Sequence, residues 1–355
     1  MKSDIGNISL KGIVAAVPKH ISYFDDEIKN YSHTEQSSKK LKKLMGYNQH
    51  HVVSKETALT DMIFPLLEDL PTTLGCDYQD VDGIFVVTQT PDYPIPSTAS
   101  IVHGAFDFKT DCYCMDINDG CNGYIRGLFE ASSLIRNSDA QKVLLIAGDV
   151  LSRKVSLKDR NSYPLIGDAV TVTLIEKRAE NVKAPLEIKH DGKGAKALMI
   201  PSGGMVSPCT SDTATLAEDE EGNWRCSEHL VMQGRDVFTF TQTTVINFIK
   251  EFIETNAKPE EIDYFFFHQA NKFILDRFRS ALKVTEAQLP SEVVTIYGNS
   301  SSATVPMSIL SSWMKNSGFE GKKALLSGFG VGLSWGATLV DINELTLCKL
   351  IKLDV

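Results

Sequence analysis

Three short segments of this chain each present a side chain suited to thioester chemistry. Cys121 lies in Asp116-Ile117-Asn118-Asp119-Gly120-Cys121-Asn122-Gly123-Tyr124, His268 in His268-Gln269-Ala270-Asn271, and Asn299 in Tyr297-Gly298-Asn299-Ser300-Ser301-Ser302-Ala303. A cysteine thiolate can attack an acyl carbonyl and hold the acyl group covalently. A histidine ring and an asparagine amide are neutral hydrogen-bond donors for a thioester or enolate oxygen. The three residues are far apart in sequence and act together only if the fold converges them. Each also has a plainer reading: a buried cysteine packing as a small hydrophobe, a structural histidine at a strand end, a turn asparagine.

The elements around them sharpen the expectation. Cys121 follows an extended stretch and precedes an amphipathic pattern over 124–136, with Ile125, Leu128, Phe129, Ser132 and Ile135 near one face. The thiol is therefore expected at a helix N-terminus, where free amides and the helix dipole favour the thiolate. Gly120 and Gly123 permit a sharp turn and close approach of a substrate. The segment Gly328-Phe329-Gly330-Val331-Gly332-Leu333-Ser334-Trp335-Gly336 reads as a glycine-rich turn leading to a strand. Its amides, with that of Cys121, are candidates for an oxyanion hole. It precedes a strand and lacks the Gly-x-Gly-x-x-Gly spacing, so it is not a dinucleotide fingerprint.

Apolar runs at 83–88, 142–147, 169–174, 264–267, 324–327 and 336–340 read as strands covered on both faces. Helical patterns lie between them, including one over 237–253, and the alternation indicates an α/β fold. Each half has a strand, a polar candidate, a helix and a closing strand pair. Cys121 and His268 are expected at comparable places in two duplicated halves. The expected division is an N-terminal half over 1–178, a connecting segment rich in turn residues over 179–223, and a C-terminal half over 224–355. Residues 37–44 form a short basic helix candidate.

Bulk composition excludes several classes. The chain has 355 residues, 43% hydrophobic and 23% charged, with a net charge of −9. That is a soluble globular composition, and its acidity argues against a nucleic-acid-coating protein. No run is long and apolar enough to span a membrane, and Met1-Lys-Ser-Asp-Ile-Gly-Asn7 has no apolar signal region, so a cytoplasmic location is expected. Seven irregularly spaced cysteines are expected to be free thiols. Cys112 and Cys114 form a lone Cys-x-Cys, read as two strand cysteines; no metal site is expected.

Together the segments resemble β-ketoacyl-acyl-carrier-protein synthase III, within the thiolase superfamily, across nearly the whole chain. The motifs come in the family's order: Thr90-Pro91-Asp92-Tyr93 with Pro96-Ser97-Thr98-Ala99, the cysteine segment, Gly148-Asp149-Val150-Leu151-Ser152-Arg153, Gly167-Asp168-Ala169, Gly234-Arg235-Asp236-Val237-Phe238, the His268 and Asn299 segments, and the terminal glycine-rich turn. The resemblance implies a five-layered α-β-α-β-α fold and a homodimer. It implies Cys121 as the acylated nucleophile, His268 and Asn299 as donors to a malonyl thioester oxygen during loss of carbon dioxide, and the amides of Cys121 and Val331 as the oxyanion hole. It implies acyl-CoA and acyl carrier protein as partners and no cofactor beyond these substrates. Arg153, Gly234, Arg235, Phe238 and Asn271 would line the CoA and pantetheine path. Lys272 and Arg277 would dock the acidic carrier, and Lys39, Lys40, Lys42, Lys43 and Arg279 would extend that basic surface.

Three places depart from the family pattern. Asp119-Gly120 stands where the family often has Ala-Ala; Asp119 would raise the thiol pKa if it faced inward, but it is expected to point away. Gly46-Tyr47-Asn48-Gln49-His50-His51 replaces a segment whose arginine often meets CoA phosphates, and Lys272-Phe273 follows the histidine motif. These departures leave room for an amine, hydroxyl or unusual β-keto acid as acceptor of the Cys121-bound acyl group. A non-catalytic acyl-CoA-binding paralogue is a further alternative. A second catalytic cysteine, as in degradative thiolases, is absent from Gly330-Val331-Gly332, and Gln89 stands where a hydroxymethylglutaryl-CoA-synthase-like enzyme would need Glu.

Overall fold

The computed structural model describes residues 1–180, 182–319 and 322–355. Two sheets form its frame. The six-stranded sheet runs Leu347–Leu353, Ile8–Pro18, Ala169–Lys177, Lys142–Asp149, Gly83–Val87, Tyr113–Ile117. The five-stranded sheet runs Lys2–Asp4, Pro185–His190, Ser334–Asp341, Lys323–Gly330, Tyr264–Phe267. The apolar runs read as strands are strands, and most are buried on both faces, as continuous Val, Ile and Leu runs require.

Two helices, Gly123–Asn137 and Thr304–Asn316, lie between the sheets and share one apolar core with their inner faces. Ile125, Leu128, Ala131 and Ile135 recur at helical spacing on the buried side of the first. A second core, built on Phe248, Phe252, Phe265, Phe267 and Phe278, covers the outer face of the five-stranded sheet. A third, built on Met62, Ile63, Leu66, Ile84 and Ile146, covers that of the six-stranded sheet. This is the five-layered α-β-α-β-α arrangement of the thiolase fold.

Four details differ from the sequence-based expectation. The Cys121 helix runs into Lys142–Asp149, which pairs antiparallel with Ala169–Lys177. Its counterpart is therefore Thr304–Asn316, which runs into Lys323–Gly330, paired antiparallel with Ser334–Asp341. Cys121 thus corresponds to the turn Ser301–Ala303, while His268 follows Tyr264–Phe267 as Thr88 follows Gly83–Val87. Second, Pro185–His190 falls inside the expected connecting segment, yet it is an interior strand of the five-stranded sheet with Leu186 and Ile188 buried at period two. The halves also exchange ends: Lys2–Asp4 joins the second sheet and Leu347–Leu353 the first. Third, the helix expected over 237–253 begins at Gly234 and contains one wide turn, Phe240–Val245, before Ile246–Asn256. Fourth, Gly328 and Gly330 belong to the strand Lys323–Gly330 and not to a turn.

Candidate active site

The strand Tyr113–Ile117 delivers the chain to a turn, closed by Gly123 N–H donating to the Gly120 carbonyl at 2.7 Å, that sets Cys121 just before its helix. The strand Lys323–Gly330 passes directly beneath. A Cβ on Gly328 would lie 2.6 Å from the Cys121 carbonyl oxygen, and one on Gly330 would lie 2.8 Å from Cys121 Cβ and Sγ. Two glycines are the space Cys121 occupies. The backbone N–H of Val331 then faces the sulfur.

Cys121 is buried, and burial pushes its thiol up to about 12. Asp119 and Asp149 add to that, while the Ser301 hydroxyl and the Val331 N–H oppose it. The free site therefore holds a thiol; the thiolate expected from the helix terminus is outweighed by desolvation. Asp119, expected to point away, is instead buried near the thiol, with Arg126 Nε 3.0 Å from its Oδ2.

His268 caps the strand Tyr264–Phe267. Its ring meets Phe329 edge-on at 5.4 Å, and Nδ1 lies 2.8 Å from Thr304 Oγ1. Burial lowers its pKa to about 3, so the ring is neutral at working pH. Asn299 is pinned from two sides. Its N–H donates to the Leu165 carbonyl at 2.7 Å and its carbonyl accepts from Gly167 N–H at 3.2 Å. Its Oδ1 accepts from Ser301 N–H at 2.9 Å, and its Nδ2 lies 3.4 Å from the Ala270 carbonyl in the histidine loop. Gly298 has φ +87°, and a Cβ there would meet Gly167 and His50 at 2.8 Å, so only glycine fits.

Cys121, Asn299, Ser301, Val331 and Gln89 line one narrow cavity of about 60 Å³, completed largely by apolar side chains such as Leu151, Leu165 and Met232. Polar groups beside apolar side chains suit a thioester that carries an acyl chain.

The expected peripheral residues scatter. Asn271 is spent as a helix cap: its Oδ1 accepts from Ile274 N–H at 2.8 Å at the start of Lys272–Leu282. Arg153 donates to the Thr57 carbonyl at 2.7 Å and borders a separate open basin of about 900 Å³ with Lys55, Lys158 and His229. Gly234, Arg235 and Phe238 lie exposed on Gly234–Thr239, two residues beyond the cavity-lining Met232, and Phe238 stacks on Phe273 at 6.0 Å. Lys272 pairs with Asp276 at 2.8 Å and Arg277 Nε donates to Gln242 at 3.0 Å. The basic helix Glu35–Met45 packs beside them, with Lys39 paired to Glu35 and Lys42 to Asp25.

Sequence reasoning missed several residues. Ser301 sits at φ +53° among Cys121, Asn299 and the histidine loop, a backbone conformation that non-glycine residues adopt at a cost. Asp149 Oδ1 accepts from Gln89 N–H at 2.7 Å and Thr88 Oγ1 at 3.0 Å, holding the turn that places Gln89 over the cavity. Burial raises the Asp149 carboxyl to about 6. His50 is an internal brace, with Nε2 2.6 Å from Glu27 Oε1 and Nδ1 bonded to the Ile166 carbonyl, beneath the loop that carries Asn299. The sequence signals for this network were the triple serine after Asn299, the Gly148-Asp149 motif, Gln89 and the unusual His50-His51 pair.

Comparison with known proteins decides the family. The model for 3-Oxoacyl-[acyl-carrier-protein (ACP)] synthase III matches residues 115–193, and that for its C-terminal part matches 253–342. A putative 3-oxoacyl-[acyl-carrier-protein] synthase 3 of Campylobacter jejuni is 33% identical over 97% of each chain. The chain belongs to the 3-oxoacyl-[acyl-carrier-protein] synthase III family. It is a thiolase-fold acyltransferase of the condensing type. A β-ketoacyl-[acyl-carrier-protein] synthase III of Streptococcus gordonii is 33% identical, covering 84% of this chain and 88% of its own. The crystal structure of a 3-oxoacyl-(acyl-carrier protein) synthase of Burkholderia xenovorans superposes with a TM-score of 0.91 at 29% identity, covering 99% of each chain. Among the described residues no helix is long and apolar enough to cross a membrane.

Proposed function

We propose that this synthase loads a short acyl group from acyl-CoA onto Cys121 and condenses it with a malonyl group on acyl carrier protein. The observation that carries this reading is Ser301, which lines one cavity with Cys121 and Asn299 and whose carbonyl lies 2.8 Å from Thr304 Oγ1, itself 2.8 Å from His268 Nδ1 behind that cavity. Cys121 gives up its thiol proton as Sγ attacks the acyl carbonyl, whose oxygen is held by the N–H groups of Cys121 and Val331; the carbon–sulfur bond to CoA breaks and CoA leaves with that proton, as its thiol. The malonyl thioester then loses carbon dioxide. The electron pair passes to the thioester oxygen, held by His268 and Asn299, and the resulting enolate carbon attacks the Cys121 thioester. The new carbon–carbon bond replaces the acyl–sulfur bond, the β-ketoacyl-carrier product departs and the released Cys121 sulfur takes up a proton. Because His268 is neutral, hydrogen bonding and not proton transfer stabilises that charge. The proposed reaction uses no resident cofactor or metal.

Several features support the partners. Lys40, Lys43 and Arg277 add exposed positive charge beside Lys272 on an acidic protein, a surface suited to an acidic carrier. Tyr113–Ile117 is an open sheet edge, and exposed Tyr113, Tyr93 and Ile95 lie on it or in the loop that leads towards it, which favours a homodimer across that edge. Seven free thiols fit a reducing cytoplasm.

The test is release of labelled carbon dioxide from malonyl-carrier protein. Release that depends on His268 and Asn299 supports the reading; an acylated enzyme that passes its acyl group to an amine or alcohol without decarboxylation refutes it.

A further inference from the structure

His268 is neutral and carries one ring hydrogen, so its role depends on which nitrogen bears it. Among the described residues, the one polar side-chain contact of the ring is at Nδ1, which lies 2.8 Å from Thr304 Oγ1, and the Ser301 backbone is also within reach of the ring. Thr304 is fully buried. Its oxygen accepts from Gln269 N–H at 3.3 Å and also lies 2.8 Å from the Ser301 carbonyl. The single hydroxyl hydrogen can serve Nδ1 or that carbonyl, not both. Turned to the carbonyl, it forces the ring hydrogen onto Nδ1. Nε2 would then offer only a lone pair to a thioester oxygen and could stabilise no enolate. Turned to Nδ1, it leaves the hydrogen on Nε2. The Ser301 carbonyl is not stranded, because Thr304 N–H also donates to it.

We propose that Thr304 is a positioning residue whose hydroxyl donates to His268 Nδ1 and so keeps the hydrogen on Nε2, arming the ring for decarboxylative condensation. This rests on the malonyl-condensing reading above. Thr304 touches neither Cys121 nor the acyl group in this arrangement, so the two half-reactions should part. Acylation of Cys121 is independent of the His268 tautomer; condensation is not.

The test pairs Thr304→Val, which keeps the shape and deletes the hydroxyl, with Thr304→Ser, which keeps the hydroxyl. Single-turnover acylation of Cys121 by acetyl-CoA is expected to stay within about two-fold of wild type in both variants. Turnover of malonyl-carrier protein should fall on the order of 10²-fold in Thr304→Val, mainly in kcat, and recover most of that in Thr304→Ser. Nitrogen-15 NMR of histidine-labelled enzyme should show the hydrogen of His268 on Nε2 in wild type and a shift towards Nδ1 in Thr304→Val. Wild type with the hydrogen on Nδ1, or a folded Thr304→Val that condenses at the wild-type rate, overturns the proposal. The wild-type spectrum decides even if Thr304→Val does not fold. A wild-type enzyme that acylates but ignores malonyl-carrier protein would sink the condensing reading instead, while the spectrum would still report the tautomer.

Discussion

The Ser301 hydroxyl lies 4.0 Å from the Cys121 sulfur, and the backbone N–H of the same serine donates to Asn299 Oδ1 at 2.9 Å. One left-handed residue therefore couples the nucleophile to a donor of the second half-reaction. The Ser301 hydroxyl opposes the upward push that burial exerts on the thiol. Ser301→Gly suits φ +53° and deletes the hydroxyl, so its effect is not backbone strain. Alkylation of Cys121 by iodoacetamide in wild type should keep rising with pH well above the ~8.5 of a free thiol. In Ser301→Gly its midpoint should move higher still. A midpoint unchanged by the substitution would show that the hydroxyl does not act on the sulfur.

Gly330→Ala should separate site geometry from fold. The new methyl would lie 2.8 Å from both Cys121 Cβ and Sγ. Thermal or urea unfolding should show a loss of about 1–3 kcal/mol. Acylation should fall by at least about tenfold, because a displacement of roughly 1 Å already costs that much or more. Unimpaired acylation would mean that the nucleophile is not seated on this strand.

Acid stability should report His268. Burial holds its folded pKa near 3, against 6.5 for the ordinary ring. Between those values the unfolded chain binds a proton that the folded protein does not. Stability therefore falls as pH falls through that window, by up to ~1.4 kcal/mol per pH unit. His268→Gln should abolish condensation yet flatten this part of the stability curve, read by chemical denaturation from pH 7 to pH 4. Parallel curves for the two proteins would contradict the buried neutral ring.

Glu27→Gln should damage the site from a distance. Burial pushes the Glu27 carboxyl up, but the hydrogen bond and charge of His50, with Ser22 and Tyr31, bring it below its ordinary value. Its contribution is thus present above that ordinary value and lost as pH falls through the folded one. Breaking this buried pair should cost about 3–5 kcal/mol. Because His50 also holds the Ile166 carbonyl beside Asn299, condensation should suffer more than acylation in the folded fraction. Equal loss in both half-reactions would argue for a purely global effect.

Much of this site was legible in sequence because its signals are local. His268-Gln269-Ala270-Asn271 follows four consecutive apolar or aromatic strand residues, and Gly298 before Asn299 marks a backbone that only glycine adopts. The buried strands declared themselves as unbroken apolar runs. What was illegible depends on contacts between distant segments. Nothing in Ser300-Ser301-Ser302 says which serine turns left-handed, and nothing in Asn271 distinguishes a helix cap from a ligand contact. Pro185–His190 is short and sits among turn residues; only its pairing with Ser334–Asp341 and Lys2–Asp4 makes it a strand. The helix dipole at Cys121 was readable, but the depth of burial that outweighs it was not.

The sheet edge predicts the assembly. Tyr113→Lys with Ile95→Glu places charge on an edge strand residue and on an exposed loop residue. Light scattering should find wild type as a dimer and the double variant as a monomer. A wild-type monomer, or a variant that stays dimeric, would exclude this edge as the interface.

The role proposed for Cys121 is to carry the acyl group between two partners. Intact-protein mass spectrometry after a panel of short acyl-CoAs, then after malonyl-carrier protein, tests it most directly, with Cys121→Ala beside it. An acyl adduct is expected on wild type alone, discharged on addition of malonyl-carrier protein as a β-ketoacyl-carrier product. An adduct that survives in Cys121→Ala, or one on wild type that malonyl-carrier protein fails to discharge, would contradict it.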